Sequence, residues 1–145
     1  MTFRESEAGG FPAASSSAVS VSLRHVEAAL VLSVGGEVDL VTAPELNDAV
    51  TAALAEAPAV LIVDLTAVTF FSSAGLAVLF DLQSRAGSAT AVRVVATSVA
   101  ARPMAITGAD RLMPVFATLA DALLPEHPAK SPPELGDASP SGSGQ

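Results

Sequence analysis

Between residues 19 and 124 the chain alternates between two hydrophobic periods. Val19, Val21 and Leu23 sit two apart, separated by Ser20, Ser22 and Arg24, which predicts a half-buried strand. After the short link Glu27-Ala28-Ala29, Leu30 to Val34 is more apolar and ends at Gly35-Gly36. So short a link predicts an antiparallel hairpin. A helix follows: Leu46, Ala49, Val50, Ala53 and Leu54 recur at i, i+3, i+4, i+7 and i+8, one apolar stripe at helical period. Thr42 and Glu45 have the spacing of a capping box. Pro44 falls in the first turn, where a missing N–H does no harm, and Pro58 closes the segment.

The second half repeats the alternation. Val60 to Leu65 is a β-branched run without polar interruption until Asp64, as expected of a strand covered on both faces. Ala74 to Arg85 predicts a buried helix stopped by Gly87. Val92 to Ala96 is another apolar strand. Ser98 is a candidate cap for a helix over Val99 to Ile106, kept short or irregular by Pro103 and ended at Gly108. Leu112 to Phe116, interrupted by Pro114, predicts an edge strand. Thr118 and Asp121 resemble a capping box for a last short helix ending at Leu124. The sum is β-β-α-β-α-β-α-β-α, an α/β domain with a mixed, mostly parallel sheet of about five strands covered by about four helices.

The chain is 145 residues long, which favours one domain. Met1 to Ala18 is rich in Gly, Ser, Ala and charge. Residues 125 to 145 hold five prolines, four serines and three glycines. Both segments are expected to be disordered, since neither can bury enough apolar surface to offset its ordering entropy. The folded domain is therefore expected over 19–124.

Half of the residues are hydrophobic and only 4% aromatic, so the core is built from many small side chains. Seven Lys and Arg stand against 15 Asp and Glu, for a net charge of −8. No two basic residues are adjacent, so a nucleic-acid-binding role is set aside, and an anionic membrane surface is disfavoured as a partner. Without cysteine there is no disulfide, thiolate metal site or thiol nucleophile. No apolar run has the form of a signal peptide or the length of a membrane span, which points to a cytoplasmic protein.

Candidates for catalysis are thin. His25 lies on the first strand and His127 in the tail, and each reads as a surface histidine. There is no phosphate-binding loop and no dinucleotide fingerprint. Ser72-Ser73-Ala74-Gly75 sits between strand and helix like a nucleophile elbow. It lacks the leading glycine, because Phe71 stands there, and no histidine follows it inside the domain. Asp39 and Asp64 fall near the carboxyl ends of strands, where α/β sheets place function. Asp64 reads as a cap for nearby amides. For Asp39 that reading and a functional one stand level. No enzyme, metal or cofactor is expected.

Five segments occur in order: Gly36-Glu37-Val38-Asp39, Thr42-Ala43-Pro44-Glu45-Leu46, Val63-Asp64-Leu65, Phe71-Ser72-Ser73-Ala74-Gly75-Leu76 and Leu119-Ala120-Asp121-Ala122-Leu123. Together they resemble the STAS domain of bacterial anti-sigma-factor antagonists, over about Val19 to Leu124. The resemblance implies a STAS-like fold and a partner-switching cycle. The unmodified antagonist binds an anti-sigma factor, a serine kinase of the histidine-kinase-like ATPase class, and so frees a sigma factor. Phosphorylation of the antagonist ends that binding, and a serine phosphatase restores it. The family motif Asp-Ser-Ser/Thr-Gly-Leu places the acceptor at Ser73. Ser72 stands where the family usually has aspartate and is the rival acceptor.

The partner-binding residues implied are Asp39, Thr42, Phe71, Ser72, Ser73, Ala74, Gly75 and Leu76, with the Leu40-Val41-Thr42 loop as a candidate addition. A serine just ahead of Ala74 is well placed to cap the helix, and Gly75 to let a partner approach. Two alternatives are a STAS adaptor that is not phosphorylated, in a stress scaffold or a lipid transporter, and a nucleotide-binding module.

Overall fold

The computed structural model describes residues 18–124. The two terminal segments expected to be disordered, and His127, lie outside the described residues, apart from Ala18. Element order is β1 (Val19–Val26), β2 (Ala29–Val38), α1 (Ala43–Ala55), β3 (Val60–Phe71), α2 (Ser73–Ala86), β4 (Ala91–Val95), α3 (Ser98–Thr107), a 3-10 turn (Ala109–Arg111), β5 (Val115–Phe116) and α4 (Leu119–Ala122). The five strands form one sheet in sequence order. β1 and β2 pair antiparallel, and β2–β3, β3–β4 and β4–β5 are parallel.

This order fixes the layers. Each parallel step moves in the same direction across the sheet, and right-handed crossovers then put every connecting helix on one face. α1, α2 and α3 accordingly share a core with the inward residues of β2, β3 and β4: Leu30, Leu32, Leu61, Val63, Val92 and Val94 meet Leu46, Val50, Leu79, Leu82, Ala100 and Met104. α4 covers the opposite face, where Ala29, Val31, Ile62, Val95 and Ala122 form a smaller cluster. Arg93 is also buried beneath α4 and donates Nη1–H to the carbonyl oxygen of Ala122 at 2.6 Å. Burial pulls its guanidinium below the ordinary arginine pKa.

Three predicted boundaries shift. β2 does not stop at Gly35-Gly36 but continues to Val38, and β3 runs to Phe71 rather than Leu65. The extensions pair with each other, Glu37 with Phe70 and Val38 with Phe71. The pairing needs two register shifts, each adding a residue to β3. Asp64 serves the first, its Oδ1 accepting from the Thr66 N–H at 3.0 Å and the Thr66 hydroxyl at 2.7 Å. Such bulges hide the period-2 signal, which is why Thr66 to Thr69 does not read as strand. In α3 the cap position belongs to Thr97, with Ser98 as the first helical residue. At α4 the expected cap forms: Thr118 Oγ1 accepts from the Asp121 N–H at 3.1 Å.

Gly36 makes the β2 extension possible. Its φ is +87°, and a Cβ there would run into the carbonyl oxygen of Ala18. Gly36→Ala is therefore expected to lower the unfolding free energy by roughly 2 kcal/mol, from strain at positive φ plus overpacking. Urea denaturation checks this; an unchanged midpoint contradicts the role given to Gly36.

Candidate functional site

The paired extensions of β2 and β3 carry the chain to the starts of α1 and α2 at one end of the sheet. The two starts are tied together, because the Ser72 N–H donates to the Val38 carbonyl at 2.9 Å. Phe71 turns inward against α2. A Cβ on Gly75 would stand 2.7 Å from Phe71 Cε1 and 2.8 Å from Val38 Cγ1, closer than unbonded carbons approach. Gly75 thus makes room for the Phe71 ring and the Val38 side chain.

Ser72 is the N-cap. Its backbone is extended, with φ −91° and ψ 178°, and its Oγ accepts from the Ala74 N–H at 3.2 Å. The cap expected at Ser73 therefore falls one residue earlier, because β3 continues to Phe71 and leaves Ser72 as the first residue past the strand. Ser73 becomes the first helical residue and is exposed. The two hydroxyls differ in consequence. One is half-buried and engaged with the helix, while the other faces solvent at the positive end of the α2 dipole.

Asp39 and Thr42 form the adjoining turn. Asp39 Oδ1 accepts from the N–H groups of Val41 at 2.9 Å and Thr42 at 3.0 Å, and lies 3.2 Å from the Thr42 hydroxyl. Thr42 Oγ1 donates to the Glu37 carbonyl at 2.8 Å and accepts from the Asp39 N–H at 2.9 Å. The capping box expected of Thr42 does not form on its side: its hydroxyl makes no bond to α1, since the turn engages it. Asp39 thereby takes the amide-capping role, while Leu40 and Val41 project at 82% and 84% exposure.

Of the residues expected to touch a partner, Ser73 is exposed and Asp39, Ser72 and Ala74 are half-buried, all at one end of the sheet. Thr42, Phe71, Gly75 and Leu76 are buried, so they shape the surface from beneath. Phe70, which is not among those residues, is the exposed member of the Phe pair at 52%. Its outward direction follows from strand alternation once Val38 and Phe71 are seen to face the core. His25 is a surface residue, 3.1 Å from Glu56 Oε1. The described residues include no metal-ligand cluster and no helix long and apolar enough to cross a membrane.

The family model of the STAS domain matches residues 20–122. The chain belongs to the STAS domain family. Anti-sigma-F factor antagonist RsfB of Mycobacterium tuberculosis is 39% identical over 106 residues, spanning 72% of this chain and 87% of the relative. The crystal structure of an anti-sigma factor antagonist from Mycobacterium paratuberculosis superposes with a TM-score of 0.70 at 39% identity, over 72% of this chain and 91% of that one. The anti-sigma factor antagonist SpoIIAA in its unphosphorylated form has a TM-score of 0.54 at 18% identity, over 72% and 93% of the two chains, and shares the fold.

Within this STAS domain the helix start separates structural from exposed groups. Ser72→Ala is expected to cost about 1 kcal/mol for the lost cap, whereas Ser73→Ala stays within about 0.5 kcal/mol of the parent. Gly75→Ala is expected to cost about 1–3 kcal/mol through overpacking against Phe71. Chemical denaturation of the three variants checks the order; a Ser73→Ala loss as large as that of Ser72→Ala contradicts the cap assignment.

Proposed function

We propose that this chain is an anti-sigma factor antagonist whose binding surface is the end of the sheet carrying Asp39, Ser72, Ser73 and Ala74. In its unmodified form it binds an anti-sigma factor that is also an ATP-dependent serine kinase, and so releases a sigma factor in the cytoplasm. Phosphorylation at Ser73 ends the binding, and a serine phosphatase reverses it. The domain is a binding module, not an enzyme. The observation that carries the reading is the exposed Ser73 hydroxyl at the first position of α2, beside a Ser72 already engaged as cap. The names of the mycobacterial relatives point the same way.

The chemistry is suited to a switch. Phosphorylation adds about −1.5 to −2 charges at neutral pH. The start of α2 tolerates an anion, since its dipole and first-turn amides favour negative charge. The fold is thus kept, while a partner packed over Ser73 would have to desolvate a dianion. Ser72 bears no charge of its own, so the phosphate would supply the negative charge at the start of α2.

Reaction with ATP and the anti-sigma factors of the same organism, followed by intact-mass and peptide mapping, is expected to place one phosphate on Ser73. A phosphate on Ser72, or none with any of them, contradicts the assignment. Ser73→Asp is expected to weaken binding more than a hundredfold, about 3 kcal/mol, with Ser73→Ala close to the parent. Equal affinities of the two variants would contradict the switch.

A further inference from the structure

Leu40 and Val41 are adjacent and large, and both stand out into solvent. Among the described residues only Ile106, at 82% exposure, is an equally exposed large apolar side chain. A loop that merely connects β2 to α1 has no need of two such groups, and loop tips are ordinarily polar or small. The backbone beneath them is held tightly. Asp39 Oδ1 takes the N–H groups of both Val41 and Thr42, Thr42 Oγ1 bridges the Glu37 carbonyl and the Asp39 N–H, and the Ala43 N–H donates to the Asp39 carbonyl at 2.8 Å. Buried Thr42 anchors one side of the turn and buried Val38 the other. The two side chains are therefore presented by a preorganised turn, which lowers the ordering entropy lost on binding.

The turn adjoins the α2 start. Val38, one residue before Asp39, accepts the Ser72 N–H, so the prong and Ser73 flank a single hydrogen bond. The turn that carries Leu40 and Val41 is therefore continuous with the surface proposed above to meet the anti-sigma factor. This proximity decides the occupant.

Resting on the antagonist reading above, we propose that Leu40 and Val41 form an apolar prong that inserts into a hydrophobic groove of the anti-sigma factor, and that Asp39 is the positioning residue that holds it out. Affinity and switching are then divided. The prong supplies salt-insensitive apolar burial, which a protein of net charge −8 can use against a partner of any charge. Ser73 supplies the electrostatic veto. Asp39 acts through its hydrogen bonds and not through its charge, so Asn, whose Oδ1 also accepts, can replace it.

The test is calorimetric titration of the full chain against each ATPase-type anti-sigma factor of its own organism, with ADP present so that no phosphoryl transfer occurs. The Leu40→Ser/Val41→Ser double variant should weaken binding about a hundredfold or more, since each fully buried side chain is worth ~tenfold or more. Ile106→Ser, at the far end of α3, should bind as the parent. Asp39→Ala should weaken binding several-fold and Asp39→Asn should restore it. The chain has no cysteine, so a solvatochromic dye on Leu40→Cys, compared with one on Ile106→Cys, reports insertion directly. The Leu40 dye should shift to the blue on binding and the Ile106 dye should not. Parent-like affinity of the double variant, with Ser73→Asp still weakened, overturns the prong and leaves the antagonist reading intact. Asp39→Asn as weak as Asp39→Ala overturns the positioning role. No binding of the parent to any anti-sigma factor overturns the antagonist reading and the prong with it.

Discussion

Position 75 has no room for a methyl group. The Phe71 ring and the Val38 side chain fill the space a Cβ would take, and this contact seats the start of α2 on the ends of β2 and β3. Around it the register closes: Val38 pairs with Phe71, and the Ser72 N–H reaches the Val38 carbonyl. If Phe71 were displaced outward, β3 would end earlier, Ser72 would lose its place as cap, and the turn from Asp39 to Thr42 would lose its support at Val38. Close packing of this kind leaves few voids and resists compression. A helix start seated on it therefore keeps its position while its surface chemistry changes.

Much of the architecture was legible in the pattern of residues. The helical stripe from Leu46 to Leu54 formed where the pattern put it, and the apolar run from Val60 to Leu65 marks the first half of β3, which continues to Phe71. The alternation of strands and helices was enough for a mostly parallel sheet. What the pattern hid has a common cause. From Thr66 to Thr69 the strand carries register shifts, and each extra residue reverses the inside–outside order that period-2 reading depends on. The missed extension displaced the inferred cap by one residue, from Ser72 to Ser73, and gave Phe71 rather than Phe70 the exposed role.

Side-chain competition explains the other departures. Thr42 has the spacing of a capping residue, yet its hydroxyl is taken by Glu37 and Asp39, because a short polar side chain can serve the turn before it as readily as the helix after it. Spacing alone cannot rank those partners. In the same network Asp39 holds the backbone amides of Val41 and Thr42. The family resemblance points to this end of the sheet as the proposed binding surface. The structure separates the side chains there: Ser72 is engaged in the helix cap, Ser73 is exposed, and Gly75 is buried against Phe71.

The proposed switch requires a helix start that stays in place when Ser73 carries a phosphate. Amide hydrogen exchange, followed by NMR on the Ser73-phosphorylated chain and on the unmodified one, tests that most directly. The Ser72 amide, bound to Val38, and the Leu76 amide, bound to the Ser72 carbonyl at 3.2 Å, report the contact from both sides. Protection at both amides is expected to be unchanged or increased by the phosphate. Loss of protection there would mean that phosphorylation melts the start of α2, and that the switch works by unfolding the site rather than by charging an intact surface.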